Sequence, residues 1–417
     1  MPGSTPNIEF YVRNHDEIVA HFRSNRYNRH SIILEEAAKM AVQKKSDPAV
    51  RARRAKLRRK RKIRRIVWRT ALSVLTVLML AVVALYCAGW VAFRGPSETM
   101  GDLLTVTMLE TSALKFIPHL YYSSAQVDAI LARNQVSEVQ EATDTSLIVI
   151  APPTPEPTPI PDDAQVTALP DLQALTTPEP TQEPVRTMEG IEVYDVKGGT
   201  YTGYMMVVHD PSRVSVGVCR DKFNSKAGLR LHEIAERYDA VAAVNGGAFV
   251  DTNGTGNGGT PTGLVISGGE ILNKANKSSI HNIVVGFNED DILVFGKFSG
   301  AEAQENNMRD ALAFGPVLVS NGEPAPVTGA SSGLNPRTAI GQRADGAVLM
   351  LVIDGRQATS LGATYADLIQ VMLEYGAVNA VNLDGGSSSM LYFDGEYLNN
   401  GVALTGSRKL PTAFIVR

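Results

Sequence analysis

Ala380–Met390 reads AVNLDGGSSSM, and Val348–Arg356 reads VLMLVIDGR. In each, an apolar run of strand length ends abruptly in a carboxylate followed by glycine. Asp-Gly closes a strand well because glycine accepts the backbone angles of a tight turn and aspartate bonds its own main chain. Val241–Phe249 (VAAVNGGAF) and Asn335–Gly341 (NPRTAIG) share this construction of apolar strand and polar, glycine-bearing turn. Around them Arg213–Cys219 alternates, with Val214, Val216 and Val218 on one face. Gly268-Gly269, Asn321-Gly322 and Asp394-Gly395 lie between apolar runs and predict hairpins. Helical period is clear at Leu229–Tyr238 and at Tyr365–Tyr375, which Gly376 closes. Residues 188–417 are therefore expected to form a single β-rich α+β domain with few helices. Cys219 reads as a small buried hydrophobe, since the one other cysteine, Cys87, lies in a distant apolar run.

The net charge of −3 conceals an asymmetry. Arg51–Arg69 holds twelve Lys/Arg and no acid, whereas from Arg94 onward there are 21 basic and 37 acidic residues. So acidic a C-terminal part argues against nucleic acid as its partner. Directly after the basic run, Thr70–Phe93 (TALSVLTVLMLAVVALYCAGWVAF) is 24 residues without a charge, bracketed by Trp68 and Trp90. As a helix it spans about 36 Å, enough to cross a bilayer core with some tilt. A soluble core helix would keep a polar face, and a cleaved leader would lack so long and basic a preceding segment. Residues 66–93 are thus expected to be one transmembrane helix. Residues 1–65 then form a cytoplasmic tail with a polybasic run against anionic lipids, and the C-terminal domain is extracellular. A short helix is expected in the tail, capped at Ser31 and stopped by Asp47-Pro48.

Residues 94–150 read as a juxtamembrane helical segment without chemistry, Ser123 and Gln126 having the spacing of a capping box. Residues 151–187 hold ten of the 22 prolines and read as a Pro/Thr-rich spacer holding the domain away from the membrane.

The four strand-and-turn segments supply two carboxylates (Asp354, Asp384), two arginines (Arg337, Arg356), two amides (Asn245, Asn382) and the hydroxyls of Thr338, Ser387 and Ser388. Arginine forks suit phosphate oxygens, and successive N–H groups of a Gly-Gly-Ser turn such as Gly385–Gly386–Ser387 can cradle an anion. Gly246 and Gly247 allow close backbone approach in the same way. A pair of carboxylates is the usual equipment of glycoside hydrolysis. On spacing alone, a phosphate-and-sugar site and four ordinary turns remain equal alternatives. His209, His232 and His281 stand singly, without metal-ligand spacing, so neither a metal nor another cofactor is expected. The polar loop Asp251–Thr262 would suit the border of a sugar site.

In this order, NGGAF, GPVLVSNGE (Gly315–Glu323), NPRTAIG, IDGR and NLDGGSSSM resemble the phosphodiester glycosidase domain of the mannose 6-phosphate uncovering enzyme family and its bacterial relatives. The resemblance covers most of residues 190–417. It implies a hydrolase that cleaves the bond between an anomeric carbon and a phosphodiester, releasing free sugar and a phosphomonoester. Ala248 stands where the family often has Phe, and Ser387 where it often has Gly; both changes bear on pocket shape. Asp384 is then the first choice for the carboxylate near the anomeric carbon and Asp354 the second. Arg337 and Arg356 would clamp phosphate, and Asn245, Asn382 and Thr338 would orient sugar or phosphate. The substrate would be a glycosyl phosphodiester or a phosphate-bearing sugar polymer of a bacterial envelope. A non-catalytic module organising such a polymer, or a phosphodiesterase cutting P–O, are the alternatives.

Overall fold

The computed structural model describes residues 31–43, 48–111, 113–137, 139, 142–150, 182–224, 226–251, 257–274, 283–399 and 407–417. Most of the tail, the spacer over 151–181, the middle of the Asp251–Thr262 loop and His281 lie outside them. The chain divides into Met1–Ala88 and Gly89–Arg417.

In the first unit, the described residues 31–43 are helical. The basic run and the apolar run are a single 47-residue helix, Pro48–Arg94, which starts on proline. Proline suits a first helical position because its missing N–H would have no partner there. This helix is long and apolar enough to cross a membrane, and its apolar stretch is not buried by protein.

The second unit is built on three antiparallel sheets. The largest runs in the order Arg186–Met188, Ile191–Lys197, Thr202–Val208, Val348–Ile353, Arg337–Arg343, Ala377–Asn382, Val317–Ser320, Glu323–Pro324. A second contains Leu293–Gly296, Ile283–Asn288, Met308–Phe314, Val265–Ser267 and Glu270–Asn273, and a third Glu396–Tyr397, Leu391–Phe393, Ala242–Asn245, Thr412–Val416 and Val214–Val218. Val352, Ile340, Val381, Val244, Phe287 and Phe414 meet in one core between the sheets. Each such side chain contributes about 1.5–3 kcal/mol when buried. The three expected hairpins are present, and Val214–Val218 is a strand buried on both faces. Tyr365–Glu374 begins at a Thr364–Asp367 capping box, lays Leu368 and Met372 on the large sheet, and ends before Gly376 at φ +82°.

Glu98–Leu109 and Ser124–Arg133 are helical, and Ser123 and Gln126 do form a capping box. The segment also bonds to strands and loops of the domain. Arg133 binds Asp102 at 2.6 Å, Thr107 Oγ1 accepts from Leu334 N at 2.9 Å, and Val149 N donates to Ala344 O at 2.8 Å. A Cβ on Gly333, at φ +71°, would lie 2.5 Å from Thr107 N, so the segment and the domain meet backbone to backbone. The reason is apolar: Val106, Val127 and Ile130 are buried faces of short helices that need a partner surface. After the spacer, Gln182 Nε2 reaches Tyr375 OH at 2.9 Å and Val185 N donates to Val193 O at 2.7 Å. The described residues on either side of 151–181 both belong to the second unit.

Candidate functional site

Register brings three of the four segments together. In the large sheet Arg337 pairs with Ile353, and Ala339 with Asn382. The start of one strand therefore lies beside the ends of two others, and Asp354 and Leu383–Asp384 emerge on either side of Pro336–Arg337. Gly386 N donates to Pro336 O at 2.9 Å, which holds the Gly-Gly-Ser turn on this edge. The fourth segment arrives from the third sheet, where Leu391 pairs with Val244. Asn245 at its end is fully buried and joins the pieces: its Nδ2 donates to Asp384 O, and its Oδ1 accepts from Thr338 Oγ1 at 2.7 Å and Met390 N at 3.1 Å. Gly246 allows this junction, because a Cβ there would lie 2.6 Å from Thr412 Oγ1. Gly247 N donates to that same hydroxyl at 3.2 Å.

The expected residues separate into bracing and facing groups. Asn245, Thr338 and Asn382 are buried beneath the turns. Asn382 Nδ2 donates to Gly315 O at 2.9 Å, and its buried Oδ1 has no partner among the described residues. Asp354 is buried and accepts from Asn399 Nδ2 at 3.0 Å, while Asn399 also binds Ser389 O, tying the two carboxylate loops together. Arg337 is buried too: its Nε reaches Ala363 O, its Nη2 reaches Glu110 and the Ser332 and Gly333 carbonyls, and its guanidinium lies 4.3 Å from the Tyr365 ring.

Arg356 and Asp384 face outward. Arg356 is exposed at φ +58°, and a Cβ on Gly386 would lie 3.4 Å from its Nη1, which places the guanidinium over the glycine turn. Asp384 is half-buried and its Oδ1 accepts from Gly385 N at 3.0 Å. Its burial raises the pKa to about 6; the Ser388 hydroxyl and then Arg408 pull it down, and Asp251 pushes it up.

Three residues at the site, Arg408, Asn335 and Glu110, were not singled out from the sequence. Arg408 Nη1 donates to Ser387 Oγ at 2.8 Å, its Nη2 pairs with Asp251 at 2.5 Å, and its guanidinium sits 4.9 Å from the Phe249 ring. Ser407–Arg408 precedes the final apolar strand, the reverse of the apolar-run-then-polar-turn order by which the segments were recognised. Asn335 bridges Arg356 and Glu110 with bonds of 2.9 and 2.6 Å. Glu110 carries no local signal, since it lies 227 residues from Arg337, whose Nη2 it meets at 3.1 Å. Among the described residues no group of His, Cys, Asp and Glu is arranged to hold a metal ion.

Residues 238–417 match the protein family described as phosphodiester glycosidase, a stretch that contains all five quoted motifs. Among individual proteins, the chain is 41% identical over 96 residues to the SPbeta prophage-derived uncharacterized protein YomE of Bacillus subtilis (strain 168), covering 22% of this chain and 15% of that protein. It is 29% identical over 190 residues to the N-acetylglucosamine-1-phosphodiester alpha-N-acetylglucosaminidase of Bos taurus, covering 41% of this chain and 34% of that enzyme. The chain thus spans about a third or less of these relatives. Among solved structures, it is similar to the zebrafish N-acetylglucosamine-1-phosphodiester alpha-N-acetylglucosaminidase catalytic domain auto-inhibited by pro-peptide, with a TM-score of 0.44 and 23% identity over 54% of this chain and 82% of that one. A hypothetical protein from Synechocystis gives a TM-score of 0.44 and 16% identity over 55% and 62% of the two chains.

Proposed function

We propose that the chain is a phosphodiester glycosidase: a hydrolase that breaks the bond between a sugar's anomeric carbon and a phosphodiester oxygen. The observation that carries this reading is the placement of the Asp384 carboxylate on a glycine turn flanked by Arg356 and Arg408, within the stretch that matches the glycosidase family. The electron pair of the breaking C–O bond leaves on a phosphate oxygen, a far weaker base than a sugar alkoxide. Charge stabilisation by a preorganised cation then matters more than protonation of the leaving group. Arg356 supplies that cation. Asp384 stands toward the anomeric carbon, as nucleophile or as base for water. Water contributes oxygen to the sugar and a proton to the medium, leaving a phosphomonoester. Asn245, Thr338 and Asn382 fix the turns that carry these groups.

The membrane-spanning helix, with its basic side in the cytoplasm and on anionic lipids, would hold the domain outside the cell, where phosphate-bearing envelope or exopolysaccharide glycans are the substrate class. The test uses the full chain in detergent with an N-acetylglucosamine α-1-phosphodiester and follows free sugar. Release by the native protein and its loss in folded Asp384→Asn is expected. Equal release by both would overturn the assignment of Asp384.

A further inference from the structure

Glu110 comes from outside the family-matched stretch, at the end of the first helix after the membrane-spanning one. Its Oε2 accepts from Asn335 Nδ2 at 2.6 Å and Arg337 Nη2 at 3.1 Å, while Arg356 Nη2 approaches its backbone oxygen and Asn335 Oδ1. About a third of the Glu110 side chain stays open, against 6% for Arg337. Burial raises its pKa, and the guanidinium groups of Arg337 and then Arg356 oppose that rise.

We infer that Glu110 trims the arginine pocket to a net charge of +1, so that the site takes a monoanionic phosphodiester in preference to a dianionic phosphomonoester. The inference rests on the glycosidase reading, in which Arg356 meets phosphate and the monoester is the product to be released. Arg337 is already paired with Glu110 and bonded to carbonyls, which leaves Arg356, among the described residues, as the cation of this pocket with charge to offer. The other charged groups of the site give a second negative charge no partner: Arg408 is paired with Asp251, and Asp384 and Asp354 are carboxylates. A dianion here would have to leave water with half its charge uncompensated.

The test measures binding of methyl phosphate and dimethyl phosphate to the full chain in detergent at pH 8, where the first is a dianion and the second a monoanion. Neither probe carries a sugar, so the result does not depend on turnover or sugar identity. Native protein should bind dimethyl phosphate at least as tightly as methyl phosphate. Glu110→Gln should tighten methyl phosphate about tenfold and dimethyl phosphate much less, because one charge has been removed from a partly buried site. A ratio unchanged within about twofold overturns the inference: both probes tightening would make Glu110 a plug, both weakening a brace, and neither binding would remove the pocket. If Glu110→Gln does not fold, Arg356→Gln tests the same idea in reverse and must shift the ratio further toward the monoanion. Failure of sugar release by the native chain would instead count against the glycosidase reading.

Discussion

Arg337 and Arg356 both follow glycine- or proline-bearing turns on neighbouring strands, and the fold uses them in opposite ways. Arg337 is enclosed, its donors engaged by the Ala363, Ser332 and Gly333 carbonyls and by Glu110. Arg356 stands exposed over Gly386, held to one side by Asn335. An arginine with its fork filled by backbone oxygens is scaffold, whereas one with open donors beside a glycine turn is available to a ligand. The site thus has a braced layer, to which Asn245, Thr338, Asn382 and Asp354 also belong, and a facing layer of Asp384, Arg356 and Arg408, where the proposed reading puts the chemistry.

The sharpest break in this comparison lies at Asp384. Asp384→Asn should lower kcat for sugar release about a thousandfold or more while the circular dichroism spectrum is kept. Next come the arginines, by urea unfolding and by turnover. Arg337→Ala should cost about 3–5 kcal/mol of stability, because it strands Glu110 and several carbonyls. Arg356→Ala should change stability by about 1 kcal/mol or less but lower kcat about a hundredfold. The opposite pattern, a stable Arg337→Ala and an unfolded Arg356→Ala, would dissolve the distinction between layers.

A smaller effect follows from protonation. Folding favours the neutral form of Asp384, whose pKa is about 6 against the ordinary 3.8. That stabilisation is full below the unfolded value and is lost as pH rises through about 6. Asn mimics the neutral acid, so Asp384→Asn should be more stable than native protein at pH 8 by at most about 2 kcal/mol, and level with it at pH 4. Activity should run the other way, falling as pH drops below about 6, since the ionised carboxylate does the work. Smallest of all, Gly386→Ala at φ +64° should cost about 1 kcal/mol and weaken phosphate binding by crowding Arg356.

Local chemistry explains what was readable beforehand. Asp394-Gly395 and Asn321-Gly322 make hairpins wherever they fall, Gly376 ends a helix, and the apolar run before Asp354 has no other use than a buried strand. These signals depend on a few neighbouring residues, and the four strand-end turns of the site are of the same kind. Docking is different. Nothing in Glu98–Leu109 announces that its last turn delivers a carboxylate to Arg337, because that contact depends on how a buried helix face meets a surface assembled from distant strands. Composition likewise describes a stiff spacer at residues 151–187 but not what the residues flanking it bond to. Nor could spacing tell which arginine would be enclosed, since both sit in similar turns and only packing around Tyr365 and Ala363 separates them.

The central claim is that the bond broken is the one between sugar carbon and phosphate oxygen. Turnover of a glycosyl phosphodiester by the full chain in ¹⁸O-labelled water, with both products weighed by mass spectrometry, addresses it directly. Label in the released sugar and none in the phosphomonoester is the expected result. Label in the phosphate would mean that the P–O bond is cut, and the site described here would be that of a phosphodiesterase.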